Sequence, residues 1–251
     1  MFGSGPAFLD FFQNLITHCS PTELQADGLK KLGDMTVGVM GARSTSLNSW
    51  SAREEKLKRD VCVPDPNWPV NVGLHGIINK SEEEFVQIGE SPELQFCKAE
   101  QSPFEAMFAR GHYNPKLFVM YFLGKSTQRW GGDIDKALAD VQATVSQIPE
   151  DTGCIFMTTA PSYLQEVVDF RLPAQKNLKE AFAKVGSRCS FVDGMTPDTI
   201  KANLGNKKFF TLKASGEVED PYHPNGKAAE NFLQIQKSNI CSAVFEQLSK
   251  D

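Results

Sequence analysis

Near the end of this 251-residue chain, Asp220-Pro221-Tyr222-His223-Pro224-Asn225 sets a carboxylate three residues ahead of an imidazole in a turn-rich stretch. At that spacing Asp220 can hold one ring nitrogen of His223 and leave the other to take a proton from a hydroxyl nucleophile. This is the acid–base half of a serine hydrolase. Asp-x-x-His pairs also arise in ordinary surface turns, so the context matters: Pro224 and Asn225 break regular structure, and Gly226 opens an amphipathic helical pattern. The missing partner is an alcohol. The hydroxyl-rich segment Gly41-Ala42-Arg43-Ser44-Thr45-Ser46-Leu47-Asn48-Ser49-Trp50 supplies Ser44 as the first candidate and Ser46 as the second. Helix capping is the competing use of the same residues, since Ser and Asn are favoured at helix starts.

These groups need a scaffold that brings residue 44 to residue 223. Five short apolar runs, at 35–41, 68–76, 116–124, 154–160 and 189–193, read as strands, and 116–124 is apolar enough to be buried on both faces. Helical patterns separate them at 49–60, 82–88, 103–110, 133–147 and 163–185, the last interrupted at Pro173, and a helix over 227–248 closes the chain. Strands alternating with helices predict one α/β domain, a parallel sheet with helices on both faces. We divide the chain into an N-terminal helix and connection, 1–34, and the domain proper, 35–251. The first helix carries Phe8, Leu9, Phe11, Phe12, Leu15 and Ile16 on one stripe, which suits packing on the domain; a membrane-touching helix is the alternative. In open α/β sheets ligands bind beyond the carboxyl ends of the strands. The residues after each run are therefore the ones to examine: the Ser44 segment, Gly76, and Gly124-Lys125-Ser126-Thr127-Gln128.

Composition excludes several functions. A formal charge of −5, with basic residues scattered, argues against a nucleic-acid partner. No apolar run approaches the roughly 18 residues of a membrane span, and the N-terminus lacks signal-peptide features. We expect a soluble chain, either cytoplasmic or secreted with its signal peptide removed. Six cysteines, at 19, 62, 97, 154, 189 and 241, form no C-x-x-C pair and suit buried thiols or up to three disulfides equally. The four histidines form no metal-binding pair, so no metal is expected. Gly124-Lys125-Ser126-Thr127 fails as a phosphate loop because Val119 stands where its first glycine belongs. Trp50 and Trp130 read as packing residues, with lining of an acyl pocket as the alternative, and His75 beside Gly76 reads as structural.

The chain resembles the SGNH (GDSL-type) hydrolases on these motifs. That family carries a Ser in a Gly-Asp-Ser turn after the first strand, a Gly after the second, a Gly-x-Asn-Asp segment after the third, and Asp-x-x-His near the C-terminus. Asp220 and His223 match the last block, with the Pro-Asn that often follows; Gly76 matches the second block and Gly124 the glycine of the third. The resemblance runs from about residue 35 to 249, and the stretch from Leu24 to Met40 leading into Gly41 more distantly resembles the phospholipase B-like branch. Two blocks depart from the pattern. Gly41-Ala42-Arg43-Ser44 replaces Gly-Asp-Ser, so either Ser44 is the nucleophile after a one-residue insertion or Arg43 occupies the nucleophile position. The third block lacks its Asn and offers Ser126, Thr127 and Gln128 instead.

The resemblance implies a three-layer, flavodoxin-like α/β/α domain with a five-stranded parallel sheet. It also implies a serine ester hydrolase, esterase- or lipase-like, acting on a small-molecule or lipid acyl ester without a cofactor. Ser44, His223 and Asp220 are the expected triad, with Gly76, Ser126, Gln128 and Arg43 as oxyanion or substrate-binding residues. An acyltransferase using the same triad, or a binding protein on the same scaffold with altered chemistry, are the alternatives.

Overall fold

The computed structural model describes residues 5–19, 37–42, 45–62, 72–79, 84–86, 97–109, 115–122 and 126–250. Their centre is a parallel sheet of three strands, β4 (Leu117–Phe122), β5 (Gly153–Thr158) and β6 (Ser190–Val192), in that order. These are the third, fourth and fifth expected strands. Successive side chains in a strand point to opposite faces, so an apolar run with no polar alternation must be covered twice. Leu117, Val119 and Tyr121 of β4 join Ile155 and Met157 of β5 in one core cluster, while Phe118, Met120 and Phe122 join Cys154 and Phe156 in another.

Helices cover both faces. On the first lie α1 (Gly5–Gln13), through Phe8 and Phe11, and the C-terminal pair α10 (Gly226–Ile235) and α11 (Lys237–Leu248), through Phe232, Ile240 and Val244. A four-residue α2 (Leu15–His18) extends α1 and buries Leu15 in the same cluster. The amphipathic stripe at the N-terminus is thus spent on the core. On the second face lie α7 (Ile134–Val145) and α8 (Gln165–Val185), with Val141, Leu178 and Phe182 buried, joined by Trp130 of α6 (Thr127–Gly132).

The first two expected strands behave differently. β1 (Val37–Ala42) pairs antiparallel with β2 (Val72–Asn79), which pairs antiparallel with β3 (Glu84–Val86), in a separate three-stranded sheet. A parallel sheet of five strands is therefore not what forms among the described residues. Hydrophobic runs identify strands but not the direction of their partners, because both pairings satisfy the same backbone groups. The third strand lies where a helix was expected over 82–88, a window too short for periodicity to separate the two states.

Against Phe118 and Met120 of β4 pack α3 (Leu47–Ser51), α4 (Glu55–Cys62) and α5 (Pro103–Met107), through Trp50, Val61 and Phe104, the last helix capped reciprocally by Ser102 and Glu105. α8 is continuous through Pro173, contrary to the expected interruption. A proline removes one backbone hydrogen bond, and burial of Ala174, Gln175 and Leu178 directly after it outweighs that loss. Conversely, the expected last helix is two, broken at Gln236, whose Nε2 donates to the Asp193 carbonyl at 2.9 Å. The segment before it folds as α9 (Pro197–Asn203), a 3-10 turn at Lys207–Phe209, and a small hairpin of β7 (Thr211–Leu212) and β8 (Val218–Asp220). The six cysteines form three disulfides, Cys19–Cys241, Cys62–Cys97 and Cys154–Cys189.

Candidate active site

Asp220 ends β8, and His223 stands in the turn before α10. The two side chains meet, His223 Nδ1 lying 2.7 Å from Asp220 Oδ2. The other carboxylate oxygen, Oδ1, accepts from the backbone N–H of Tyr222 at 2.9 Å and of His223 at 3.2 Å. One carboxylate therefore shapes the turn with one oxygen and holds the imidazole with the other, which is the local turn chemistry that aspartate favours. Burial pushes the Asp220 carboxyl upward, but the hydrogen bond to His223 and those from the two amides together outweigh it and hold the group below its ordinary value.

The turn is pinned on both sides. The Pro221 carbonyl accepts from Ser162 Oγ at 2.5 Å and from the Tyr163 amide at 3.0 Å. Asn225 caps α10 by accepting from the Ala228 amide, donates its own N–H to the Phe209 carbonyl at 2.9 Å, and reaches the Lys208 carbonyl through Nδ2 at 3.1 Å. Ser162 and Tyr163 directly follow β5, so these bonds fasten the Asp220–His223 pair beyond the carboxyl end of the parallel sheet. Open α/β sheets present ligands at that edge. The pair is open to solvent there, with the His223 side chain 64% exposed and that of Asp220 39%. His223 Nε2 has no hydrogen-bond partner among the described residues.

The remaining site residues divide. Arg43, Ser44 and Gly124 lie outside the described residues. Ser46 is the N-cap of α3, its N–H donating to Ser49 Oγ at 3.3 Å and its buried hydroxyl bonded to Asn48 Oδ1, so the capping use holds at this serine. Leu47, next to it, is fully buried in the cluster that contains Phe122, at the carboxyl end of β4. Gly76 was expected where its strand ends; it lies inside β2 opposite Val39, beside a register shift in which His75 has no partner. That is a correction: a glycine in an apolar run reads equally as a strand end or as a bulge within one. Ser126 is buried at the start of α6 and Gln128 is exposed on it. Neither touches the Asp220–His223 pair through a hydrogen bond.

Trp50 and Trp130 are core. Trp50 stacks on Phe104 with ring centroids 5.6 Å apart and donates to Thr45 Oγ1; Trp130 donates to Asp140 Oδ2 at 2.8 Å. No group of three or more His, Cys, Asp or Glu side chains among the described residues is arranged to hold a metal ion, and no described helix is long and apolar enough to cross a membrane.

Sequence reading missed Ser162 and Tyr163, which hold the Asp220–His223 turn, and Arg171, at which the charge of Asp220 is felt. The only signal for Ser162 and Tyr163 was position, just after the fourth apolar run; Arg171 lies farther on, inside α8, and carried none. No family model, curated protein or solved structure matches the chain.

Proposed function

We propose that this protein is a cofactor-independent ester hydrolase of the SGNH type, with Ser44 as nucleophile, His223 as general base and Asp220 as the group that orients the imidazole. The observation carrying this reading is the 2.7 Å contact between Asp220 and His223, fastened beyond the carboxyl end of β5. In the triad chemistry, Ser44 Oγ attacks the acyl carbonyl while His223 Nε2 takes its proton; the imidazolium then protonates the departing alkoxide, and water repeats the sequence to release the acid. Asp220, holding Nδ1–H, sets the tautomer that leaves Nε2 as acceptor. Leu47 is buried in the cluster on the second face of the parallel sheet, which supports a hydroxyl-rich segment tied to that sheet. The finer scaffold proposal is the three-layer α/β/α arrangement, supported by β4, β5 and β6 in sequential parallel order with helices on both faces. Three disulfides favour an oxidising compartment, such as the secretory route.

A fluorophosphonate probe tests the reading. We expect a covalent adduct that maps to Ser44 by peptide mass spectrometry and is lost in His223→Ala. An adduct at Ser46, or no adduct in the folded protein, removes the assignment, and the second result leaves a binding protein on this scaffold.

A further inference from the structure

Arg171 has no role in the triad, yet its surroundings are unusual for a surface arginine. It lies in the second turn of α8, on the face marked by buried Val168, Ala174 and Gln175. Gln175, one turn later, accepts from Thr158 Oγ1 at 2.5 Å and from the Met195 amide at 2.8 Å, which ties that turn to the carboxyl ends of β5 and β6. Arg171 is about 6 Å nearer the start of the helix on the same face. It therefore projects just past the strand ends, where the Ser162 and Tyr163 bonds hold the Asp220–His223 turn.

The guanidinium is half-buried and makes no hydrogen bond or ion pair with any described residue. Its charged and titratable neighbours are Asp220 and Tyr121, whose hydroxyl accepts from the Ala160 amide at 2.6 Å beyond β5. Asp220 does not pair with it; its carboxylate oxygens bond two amides and His223 instead. Burial lowers the Arg171 pKa, opposed by the fields of Tyr121 and Asp220. Five N–H donors withdrawn partly from water and left unused are costly unless a ligand meets them.

Building on the hydrolase reading above, we propose that Arg171 is a specificity residue that binds an anionic oxygen group, a carboxylate or a phosphate, carried by the substrate beside its ester. A planar guanidinium meets such groups with two parallel hydrogen bonds. The group stays intact through the reaction: only the acyl–oxygen bond breaks, and the charge held by Arg171 leaves with whichever product bears it.

The test compares wild type, Arg171→Gln and Arg171→Lys, each first shown folded by circular dichroism. Three activated esters of matched length are used: 4-nitrophenyl butyrate, mono-4-nitrophenyl succinate, and an analogue ending in phosphonate. Wild type is expected to prefer one anionic ester over the neutral one in kcat/KM, the two anionic arms separating carboxylate from phosphate-type groups. That preference is expected to fall roughly 10- to 100-fold in Arg171→Gln, the size of a lost charge-assisted contact, and to survive in part in Arg171→Lys. Succinate and inorganic phosphate are titrated in parallel, with the His223 ring resonances followed by NMR; binding of one of them to wild type, lost in Arg171→Gln, is the expected result. Equal turnover of neutral and anionic esters, or a preference unchanged in Arg171→Gln, overturns the Arg171 proposal while the hydrolase reading stands. Absence of ester turnover with no fluorophosphonate adduct sinks the hydrolase reading instead, and failure of both anions to bind then removes the Arg171 site as well.

Discussion

Asp220 does two jobs through two oxygens, and they separate under acid. Its carboxyl is held below the usual aspartate range, so the ionised form is favoured by folding. The sign follows: this contribution is complete above the ordinary aspartate pKa of 3.8 and is lost as pH falls through the lowered folded value. Asp220→Asn retains an oxygen for the Tyr222 and His223 amides but has no charge to lose. Wild type is therefore expected to be the more stable of the two at pH 7, with the gap closing as the pH falls below 3.8 in thermal melts followed by circular dichroism. A gap independent of pH would mean that the carboxylate is unperturbed by folding. The pair itself was legible from four residues of sequence, because an Asx turn is local and Asp220 needs only its own next three residues to form it. What holds that turn in place, Ser162 and Tyr163, lies 59 residues away in the case of Ser162 to Pro221. Nothing in the local sequence encodes such a bond.

At the scale of elements, the carboxyl edge depends on how closely β6 and its following loop approach β5. Gly194 donates to Thr158 Oγ1 at 2.7 Å, and a Cβ added at Gly194 would stand 1.9 Å from the Thr158 carbonyl oxygen. The atoms in its way are the backbone carbonyls of Thr158 and Thr159, so no side chain can swing aside. Gly194→Ala is expected to cost about 3 kcal/mol or more in urea unfolding. Because Gln175 bridges Thr158 and Met195 one turn from Arg171, the same substitution is expected to weaken anion binding at that site. A variant as stable as wild type would show that this loop can retreat. The strands on either side of this contact were predicted within a few residues, since apolar runs buried on two faces carry a strong signal. The crowding between them was invisible, because it is a distance between residues 36 apart in the chain.

For the whole molecule, Cys19–Cys241 joins the end of α2 to α11 across a sequence separation of 222. It locks the two terminal segments that together cover one face of the parallel sheet. Cross-links that close long loops restrict the unfolded chain most strongly, so the double variant Cys19→Ser/Cys241→Ser is expected to lose about 2–5 kcal/mol in denaturant unfolding. A thiol titration of the denatured, unreduced protein is expected to find none free. Detection of six thiols would remove both the linkage and the argument for an oxidising compartment.

Sequence alone determined which residues form the main strands and helices, and that Asp220 and His223 share one turn, because hydrophobic periodicity and Asx-turn chemistry act over a few neighbouring residues. Pairing direction, disulfide partners, the fate of Pro173, and the charge interaction between Asp220 and Arg171 were decided only by the tertiary structure. Each is a contact between segments far apart in the chain, where burial against a distant partner, rather than local preference, sets the lowest free energy.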